Sequence, residues 1–298
     1  MMLRSFLFIP GDSEKKLAKG DASGADALIL DLEDSVAPAR KQAAREMTAA
    51  YLQARPRNRR SMQLWVRVNA LETEAALADL AAVGAGADGV VLPKARGPED
   101  VAQLGRRLDE AEADAGLARQ TIKILPVATE TPAAVFRLGD YAQAKLERLY
   151  GLTWGAEDLS AALGASTNID ANAGGWAFTY RLARSLTLLA AHAAGVAAIE
   201  TLHADFQDEA GLRASSGAAR AEGFSGRLAI HPAQVAVINE CFTPSASEVA
   251  QAERIAAAFA AAPEAGVVAL DGRMLDRPHL SRAQHILALA AAHRPKPT

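Results

Sequence analysis

Short apolar runs alternate with longer Ala-rich stretches along most of the chain. Eight runs are rich in Val, Ile and Leu and cover residues 5–9, 27–32, 63–68, 89–92, 122–127, 149–154, 197–202 and 227–230. Most of them are continuously apolar rather than alternating, which is typical of parallel strands covered on both faces. The clearest helical stretches lie at residues 39–53, 73–83, 98–115, 133–138 and 176–194. The pattern therefore predicts repeated β-then-α units.

The number of these units indicates a particular α/β fold. Eight of them within residues 1–241 match a (β/α)8 barrel, which usually has about 250 residues. We therefore predict a (β/α)8 TIM barrel over residues 1–241. A doubly wound sheet is the main alternative, but it would favour a glycine-rich phosphate loop after the first strand. The segment IPGDSEKK lacks the G-x-G-x-x-G spacing of such a loop.

The last part of the chain, residues 242–298, has a different pattern. Thr243-Pro244-Ser245 predicts the start of a helix that continues through residue 262. Asp271-Gly272 between apolar flanks predicts a two-residue hairpin, and a last helix is predicted at about residues 280–293. This segment is too short for a core of its own. We expect a C-terminal helical lid that packs on the barrel or on a neighbouring subunit.

Composition excludes several classes of protein. The 298 residues carry a net charge of −3 with both signs interspersed, so no basic patch indicates a nucleic-acid or membrane partner. The single cysteine, Cys241, allows no intrachain disulfide and fits a reducing cytoplasm. The apolar run at the N-terminus is too short for a signal peptide, and the stretch 186–199 is too short to span a bilayer. We expect a cytoplasmic location.

Polar residues follow most of the predicted strands, where a barrel of this kind has its active site. Glu130 and Asp158 come after the fifth and sixth runs, and paired carboxylates on neighbouring strand ends suit Mg²⁺. The other strand ends carry Asp31, Glu33, Asp34, Arg67, Asn69, Lys94, Asp205 and His231. Taken singly, an acid after a strand is more often a helix cap or a salt-bridge partner than a ligand. Their convergence on one rim favours a functional site.

Two of these residues allow alternative interpretations. Lys94 could act as a Schiff-base lysine, because burial can lower the pKa of an amine, or it could pair with Glu33 or Asp34. His231 precedes Pro232, and a proline restricts the residue before it. We therefore favour a turn-fixing role for His231 over metal coordination.

Seven sequence blocks together resemble a known family. In chain order they are RSFLFIPGD, ADALILDLEDSV, WVRVN, DGVVLPK, TETPAAV, WGAEDLSAALG and GRLAIHPAQ. They resemble the signature blocks of the citrate lyase beta-subunit-like family, which includes malyl-CoA, citramalyl-CoA and citryl-CoA lyases, within the HpcH/HpaI aldolase superfamily. The resemblance covers nearly the whole chain. It implies an oxo-acid-lyase that uses Mg²⁺, with Mn²⁺ as a substitute, to cleave a 3-hydroxyacyl-CoA thioester into a 2-oxo acid and an acyl-CoA.

The resemblance also implies roles for residues of the barrel. Glu130 and Asp158 match the two Mg²⁺ ligands, and Arg67 matches the arginine that binds the oxygens of the 2-oxo acid. Glu33 and Asp34 match acids that support this arginine and the metal-bound waters. The mechanism it implies needs no Schiff base, so Lys94 takes a structural or substrate-pairing role.

Coenzyme A and a neighbouring subunit are implied as partners. Lys15 and Lys19 match basic positions that meet coenzyme A phosphates. Asp276 matches the aspartate of a lid that closes over a neighbouring subunit's site and acts as acid or base on the acyl carbon. A homo-oligomer, either a trimer or a hexamer, is therefore expected.

The chain also departs from the family pattern, and this leaves its substrate open. Residues 168–176 are rich in Gly and Asn where relatives commonly carry an arginine, and Glu200 replaces the usual aspartate. Three alternatives remain: a malyl-CoA thioesterase or synthase, the beta subunit of a citrate lyase complex with partner subunits, and a non-catalytic paralogue. The last would be expected to lose Glu130, Asp158 or Arg67, which this chain keeps.

Overall fold

The computed structural model describes residues 2–84, 86–172 and 174–293, and within them parallel strands alternate with helices. The strands are β1 Ser5–Pro10, β2 Ala27–Asp31, β3 Gln63–Arg67, β4 Gly89–Leu92, β5 Lys123–Pro126, β6 Gly151–Thr153, β7 Ala197–Glu200 and β8 Gly226–Ala229. Their order in the sheet is β5-β4-β3-β2-β1-β8-β7-β6. Parallel bridges pair Ile124 with Leu149 and Val127 with Thr153 between β5 and β6, so the barrel nearly closes. The predicted (β/α)8 barrel is confirmed.

Helices surround the strands, and the described part of the barrel has more helices than the five clearest stretches that the sequence predicts. Those of the barrel are α1 Glu14–Gly20, α2 Lys41–Gln53, α3 Glu74–Gly84, α4 Pro98–Asp114, α5 Pro132–Val135, α6 Ala156–Leu163, α7 Phe178–Ala193, α8 Glu209–Glu222 and α9 Pro232–Cys241. The helix predicted at 133–138 is shorter, and a 3-10 turn at Leu138–Ala142 follows it. The helix α8 contains five Ala, which favour a helix, and two Gly and two Ser, which do not. An Asp208 cap at its start and a left-handed Gly223 at its end delimit it.

The apolar residues form two layers. Inside the barrel, Phe6, Trp65 and Tyr150 meet edge to face, with ring centroids 5.2 to 6.0 Å apart. A Cβ atom at Gly89 would lie 2.4 Å from the Trp65 ring, so only glycine leaves room for this indole. Residues of the opposite strand faces, such as Leu30 and Leu152, are fully buried in the second layer against the helices. The continuous apolar runs in the sequence thus reflect strands buried on both faces.

The C-terminal segment adds two helices and a hairpin. They are α10 Ala246–Ala260, β9 Val267–Leu270, β10 Arg273–Asp276 and α11 Arg277–Ala292. The predicted hairpin is confirmed, with Asp271 at φ +53° and Gly272 at φ +74° in its turn. Phe259, Val268 and Leu275 form a small apolar cluster between these elements. The division at residue 242 into two domains stays a prediction, and residues 294–298 lie outside the described part.

The segment is anchored near the N-terminal ends of the strands. Glu248 of α10 pairs with Arg220 of α8 at 2.8 Å, and Thr243 accepts a hydrogen bond from Arg4, just before β1. Among the described helices, none has the length and apolar character that a membrane-spanning helix requires.

Candidate active site

A cavity of about 250 Å³ opens at the C-terminal ends of the strands. It is lined by Phe8, Pro10, Lys16, Asp31, Ser35, Arg67, Val127, Glu130, Trp154, Gly155, Ala156, Glu157, Asp158, Trp176, Thr201, Leu202, Leu228 and Ile230. This end of a (β/α)8 barrel is where active sites form. The candidate Mg²⁺ ligands and the candidate substrate-binding arginine therefore line one cavity.

Glu130 and Asp158 are brought together by the ends of β5 and β6. Glu130 is 4% exposed, whereas Asp158 lies in the first turn of α6 and is more open. The Thr129 hydroxyl accepts a hydrogen bond of 3.1 Å from the Gly155 amide, which ties the two loops together. A Cβ atom at Gly155 would lie 3.0 Å from Glu130 Cγ, so the absence of a side chain at Gly155 leaves room for the Glu130 carboxylate.

The electrostatics around Glu130 suit a bound cation. Burial raises the pKa of Glu130 to about 8, and repulsion from Asp158 and Glu33 adds to the effect, while a hydrogen bond from the Lys94 amide opposes it. A divalent cation would relieve this repulsion, and carboxylate oxygens are ligands that Mg²⁺ prefers. The described residues contain no group of three or more His, Cys, Asp or Glu placed to hold a metal. A metal at Glu130 and Asp158 would therefore keep positions for water or substrate.

Arg67 is held rigidly at the end of β3. Its Nε and Nη2 atoms each donate to Asp31 at 2.7 Å, and Nη1 lies 3.1 Å from Glu33 Oε2. Burial would lower the pKa of Arg67, but the bond to Asp31 and the nearby acids raise it above its usual value. The guanidinium therefore stays charged, and its Nη1–Nη2 edge keeps donors for a substrate carboxylate.

Lys94 lies among four acids. Its Nζ donates to Glu33 Oε1 and lies 3.5 Å from Asp34 Oδ2 and 3.8 Å from Asp158 Oδ1. Burial would lower the pKa of Lys94, but the bond to Glu33 and the charges of Glu33, Asp34 and Glu130 raise it above its usual value. A Schiff-base lysine needs a neutral amine, so the structure favours the pairing that the sequence offered as the alternative.

The other candidates from the sequence lie further from the chemistry. His231 caps α9 and accepts a hydrogen bond from the Ala233 amide at 3.2 Å, which confirms its turn-fixing role. Asp205 is exposed and accepts from the Gln207 amide. Lys15 and Lys19 are exposed on α1 and are not among the lining residues of the cavity. Asp276 caps α11 and bonds to His279.

One wall of the cavity is built from Trp176 and a chain of buried groups behind it. Trp176 lies edge to face against Trp154, with ring centroids 5.3 Å apart. The Trp154 indole donates to Glu200 Oε1 at 2.6 Å, and Glu200 Oε2 accepts from Arg184 at 2.6 Å. The loop that leads to Trp176 is held at its first residue, because Asn168 donates a hydrogen bond of 2.9 Å to Glu157. The stretch that departs from the family pattern thus contributes an apolar wall; Ala173 within it lies outside the described residues.

Sequence reasoning did not assign roles to several of these residues. The sequence indicates Asp31 as a strand-end acid, but not as the main partner of Arg67. The register of β2 and β3 places Asp31 directly beside Arg67, and this register was the signal that could have found the pair. Lys16, rather than Lys15 or Lys19, lines the cavity, and no local signal in the sequence separates these three lysines. In the sequence, Glu200 stands out only as a departure from the family pattern, although it is 2% exposed and bonds to a tryptophan of the cavity.

The chain resembles known enzymes over nearly its whole length. It is 36% identical over 290 residues to the citrate lyase subunit beta of Escherichia coli K12, covering 96% of this chain and 93% of that one. It is 35% identical over 292 residues to the (3S)-malyl-CoA thioesterase of Cereibacter sphaeroides ATCC 17025, covering 97% of this chain and 95% of that one.

The chain also resembles solved structures of related proteins. Protein CitE of Mycobacterium tuberculosis, in complex with magnesium, acetoacetate and coenzyme A, matches with a TM-score of 0.77 and 34% identity, covering 97% of this chain and 98% of that one. RipC of Yersinia pestis matches with a TM-score of 0.65 and 31% identity, covering 83% of this chain and 98% of that one. Residues 4–232 match the family described as HpcH/HpaI aldolase/citrate lyase. The chain therefore belongs to the HpcH/HpaI aldolase/citrate lyase family.

Proposed function

We propose that the protein is a Mg²⁺-dependent carbon–carbon lyase, which cleaves a 3-hydroxyacyl-CoA thioester of the malyl-, citramalyl- or citryl-CoA type into a 2-oxo acid and an acyl-CoA. The observation that carries this proposal is that Glu130, Asp158 and Arg67 line one cavity at the C-terminal end of the barrel. Support comes from the CitE structure that contains magnesium, acetoacetate and coenzyme A. The expected location is the cytoplasm.

Glu130 and Asp158 would hold the metal, for which Mn²⁺ could substitute. When bound, Mg²⁺ supplies Lewis acidity at the substrate hydroxyl and carboxylate oxygens. Burial of Glu130 excludes water from one side of this position. Glu33 and Asp34 would accept hydrogen bonds from water there, and Glu33 also fixes Arg67.

Arg67 would orient the part of the substrate that becomes the 2-oxo acid. Its outer Nη1–Nη2 edge can donate two parallel hydrogen bonds to a carboxylate, while Asp31 holds the inner edge. Such fixation aligns the carbon–carbon bond that breaks. The hydroxyl proton would pass through water to Glu33 or Asp34, the carbonyl of the 2-oxo acid would form, and the electron pair of the broken bond would pass to the thioester as an enolate.

A protonated carboxyl group must then give its proton to the enolate carbon, and Asp276 is the proposed donor. Asp276 is absent from the lining of this chain's own cavity, and its segment is anchored near the opposite end of the barrel. We therefore propose that residues 242–298 form a lid over the site of a neighbouring subunit in a trimer or hexamer. Lys15 and Lys19 on the exposed face of α1 would contact coenzyme A phosphates, with Lys16 nearer to the cavity.

Two related activities use the same site. Hydrolysis of the thioester would release free coenzyme A, and the Cereibacter relative is named a (3S)-malyl-CoA thioesterase. A beta subunit of a citrate lyase complex would act together with partner subunits, and the Escherichia coli relative carries that name. The two identities, 36% and 35%, are nearly equal. Product analysis must therefore decide between these activities.

The test is a panel of malyl-, citramalyl- and citryl-CoA assayed with and without Mg²⁺, with Glu130→Ala as the control. We expect a 2-oxo acid and an acyl-CoA in equal amounts, only with Mg²⁺ and only from the natural protein. Release of free coenzyme A without acyl-CoA would favour the thioesterase. Turnover that needs no metal, or that survives in the variant, would contradict the proposal.

A second experiment tests the lid. Truncation before Val267 removes Asp276, and we expect it to abolish proton return at the acyl carbon and with it the lyase rate. A full lyase rate in the truncated protein, or a fully active monomer in solution, would exclude a role of the lid in a neighbouring site.

A further inference from the structure

Lys94 has an unusual backbone conformation at the edge of the active site. It follows β4 by two residues and has φ +53°. Among the described non-glycine residues, only Gln120 and Asp271 share a positive φ. Asp271 lies in a hairpin turn that favours this conformation, whereas Lys94 lies in no hairpin. A long side chain in the left-handed region costs free energy, and such strain persists where the surrounding structure imposes it.

The contact made by the Lys94 backbone explains what this conformation achieves. Its amide donates to Glu130 Oε2, and this is the favourable hydrogen bond that acts on the otherwise repelled carboxylate. With Oε2 engaged by the amide, Oε1 is the oxygen available to a metal. With the segment after Lys94 held in place, an extended φ at Lys94 would turn the peptide that carries its amide in another direction, because φ is the rotation about the N–Cα bond.

The side chain of the same residue reaches the second candidate ligand. Lys94 Nζ bonds to Glu33 and lies 3.8 Å from Asp158 Oδ1. Lys94 thus contacts one ligand through its backbone and the other through its ammonium. The two contacts should affect the metal oppositely, because the amide orients Glu130, whereas the ammonium competes with the metal for negative charge.

We propose that Lys94 is a positioning residue of the metal site, whose left-handed backbone aims its amide at Glu130 and so orients this ligand for Mg²⁺. The proposal rests on the proposed function, in which Glu130 binds the metal. The ammonium has a separate role, which is to offset the charge of Glu33, Asp34 and Asp158 before the metal binds.

Two substitutions of Lys94 separate the effect of its backbone conformation on Mg²⁺ binding from the effect of its charge. Lys94→Met and Lys94→Val both remove the ammonium, but the β-branched valine tolerates a positive φ much less well. We expect Lys94→Met to bind Mg²⁺ at least as tightly as the natural protein, because a competing cation is gone. Lys94→Val should bind about 10- to 100-fold more weakly than Lys94→Met, the usual cost of losing a group that orients a ligand. Isothermal titration with Mg²⁺ measures both values without turnover.

Two controls exclude a general loss of structure. Lys94→Gly keeps the amide and adopts a positive φ without strain, so it should bind Mg²⁺ as Lys94→Met does. Gln120→Val places valine at another positive φ, +64°, far from the site. It should lower the melting temperature without changing the Mg²⁺ affinity.

The outcomes also separate this inference from the proposed function. Equal Mg²⁺ affinities of Lys94→Met and Lys94→Val, with melting temperatures that show both are folded, would overturn the role of the amide and leave the lyase intact. If Lys94→Val does not fold, weaker Mg²⁺ binding by Lys94→Gly than by Lys94→Met would overturn it instead. Failure of the natural protein to bind Mg²⁺ would overturn both proposals.

Discussion

The two halves of the active-site cavity differ in chemistry. The ends of β2 to β6 carry the charged residues Asp31, Arg67, Glu130 and Asp158. The apolar half consists of Phe8, Leu202, Leu228 and Ile230 from β1, β7, β8 and their ends, together with Trp176 from the loop before α7. The charged half holds the groups that a metal and a carboxylate require. Apart from Lys16 on α1, the apolar half holds none of them. This difference indicates that one half performs the proposed reaction and the other selects the substrate.

The apolar half also bears on the size and charge of the 2-oxo acid. Among the described residues that line the cavity, the cations are Arg67 and Lys16, and Arg67 is already bonded to Asp31. Trp176 is the last residue of the stretch 168–176, within which the family resemblance leads us to expect an arginine in relatives. A second substrate carboxylate placed against Trp176 and Leu202 would lose its hydration, and neither residue offers a cation in return. We therefore expect an alkyl substituent here rather than a carboxylate.

The largest expected effect comes from the charged half. Asp158→Asn removes a candidate metal ligand, and the lyase rate should fall by more than about 100-fold. Mutation of a group that only orients a metal ligand already lowers metal affinity or activity by about 10- to 100-fold. The measurement is kcat/KM at saturating Mg²⁺. Asp205→Asn is the matched control, since this rim acid is exposed and bonds only locally. Equal rates for the two variants would remove Asp158 from the metal site.

Arg67→Lys should have the next largest effect. A lysine keeps the charge but cannot form the two parallel bonds to Asp31 and a second pair to the substrate. Loss of charge-assisted hydrogen bonds worth about 1.5–3 kcal/mol corresponds to a roughly 10- to 100-fold lower kcat/KM. In the synthesis direction, from the 2-oxo acid and acyl-CoA, the KM for the 2-oxo acid should rise, because Arg67 orients this substrate. An unchanged KM for the 2-oxo acid would contradict the orienting role of Arg67.

Trp176→Arg tests the apolar half directly. The new guanidinium should raise the rate with oxaloacetate relative to pyruvate by about tenfold, the worth of one charge-assisted bond of about 1.5 kcal/mol. Competition between the two acids in the synthesis direction measures the ratio. Trp176→Phe, which keeps an aromatic wall, should leave the ratio near that of the natural protein. A natural protein that already prefers oxaloacetate would show that the apolar half does not select the substituent.

The smallest effect on activity is expected behind that wall. Glu200→Gln removes the buried partner of Arg184 but keeps an acceptor for the Trp154 indole. The free energy of unfolding should fall by about 1–3 kcal/mol, because Glu222 still pairs with Arg184. Chemical denaturation measures this change, and Glu222→Gln, an exposed partner of the same arginine, should cost less. A larger loss from Glu222→Gln would show that Glu200 does not hold this network.

Much of the fold could be predicted from the sequence because its signals are local. The strands were found since both faces are buried and their apolar runs are continuous, as in β2 and β4. The common location of Glu130 and Asp158 could be predicted because strand ends of such a barrel meet on one rim; their role as metal ligands stays a prediction. The pair of Asp31 and Arg67 was missed because it depends on the register of two strands. The conformation of Lys94 was missed because the loop and Glu130 impose it, and no local preference of lysine indicates it.

The most direct test of the central claim is to measure 2-oxo acid released from citramalyl-CoA by the natural protein and by Glu130→Ala, each with Mg²⁺ and with excess chelator. The account predicts release of pyruvate and acetyl-CoA in equal amounts by the natural protein with Mg²⁺, and in none of the other three reactions. Equal release in the presence of the chelator, or by Glu130→Ala, would contradict a metal-dependent lyase at Glu130 and Asp158.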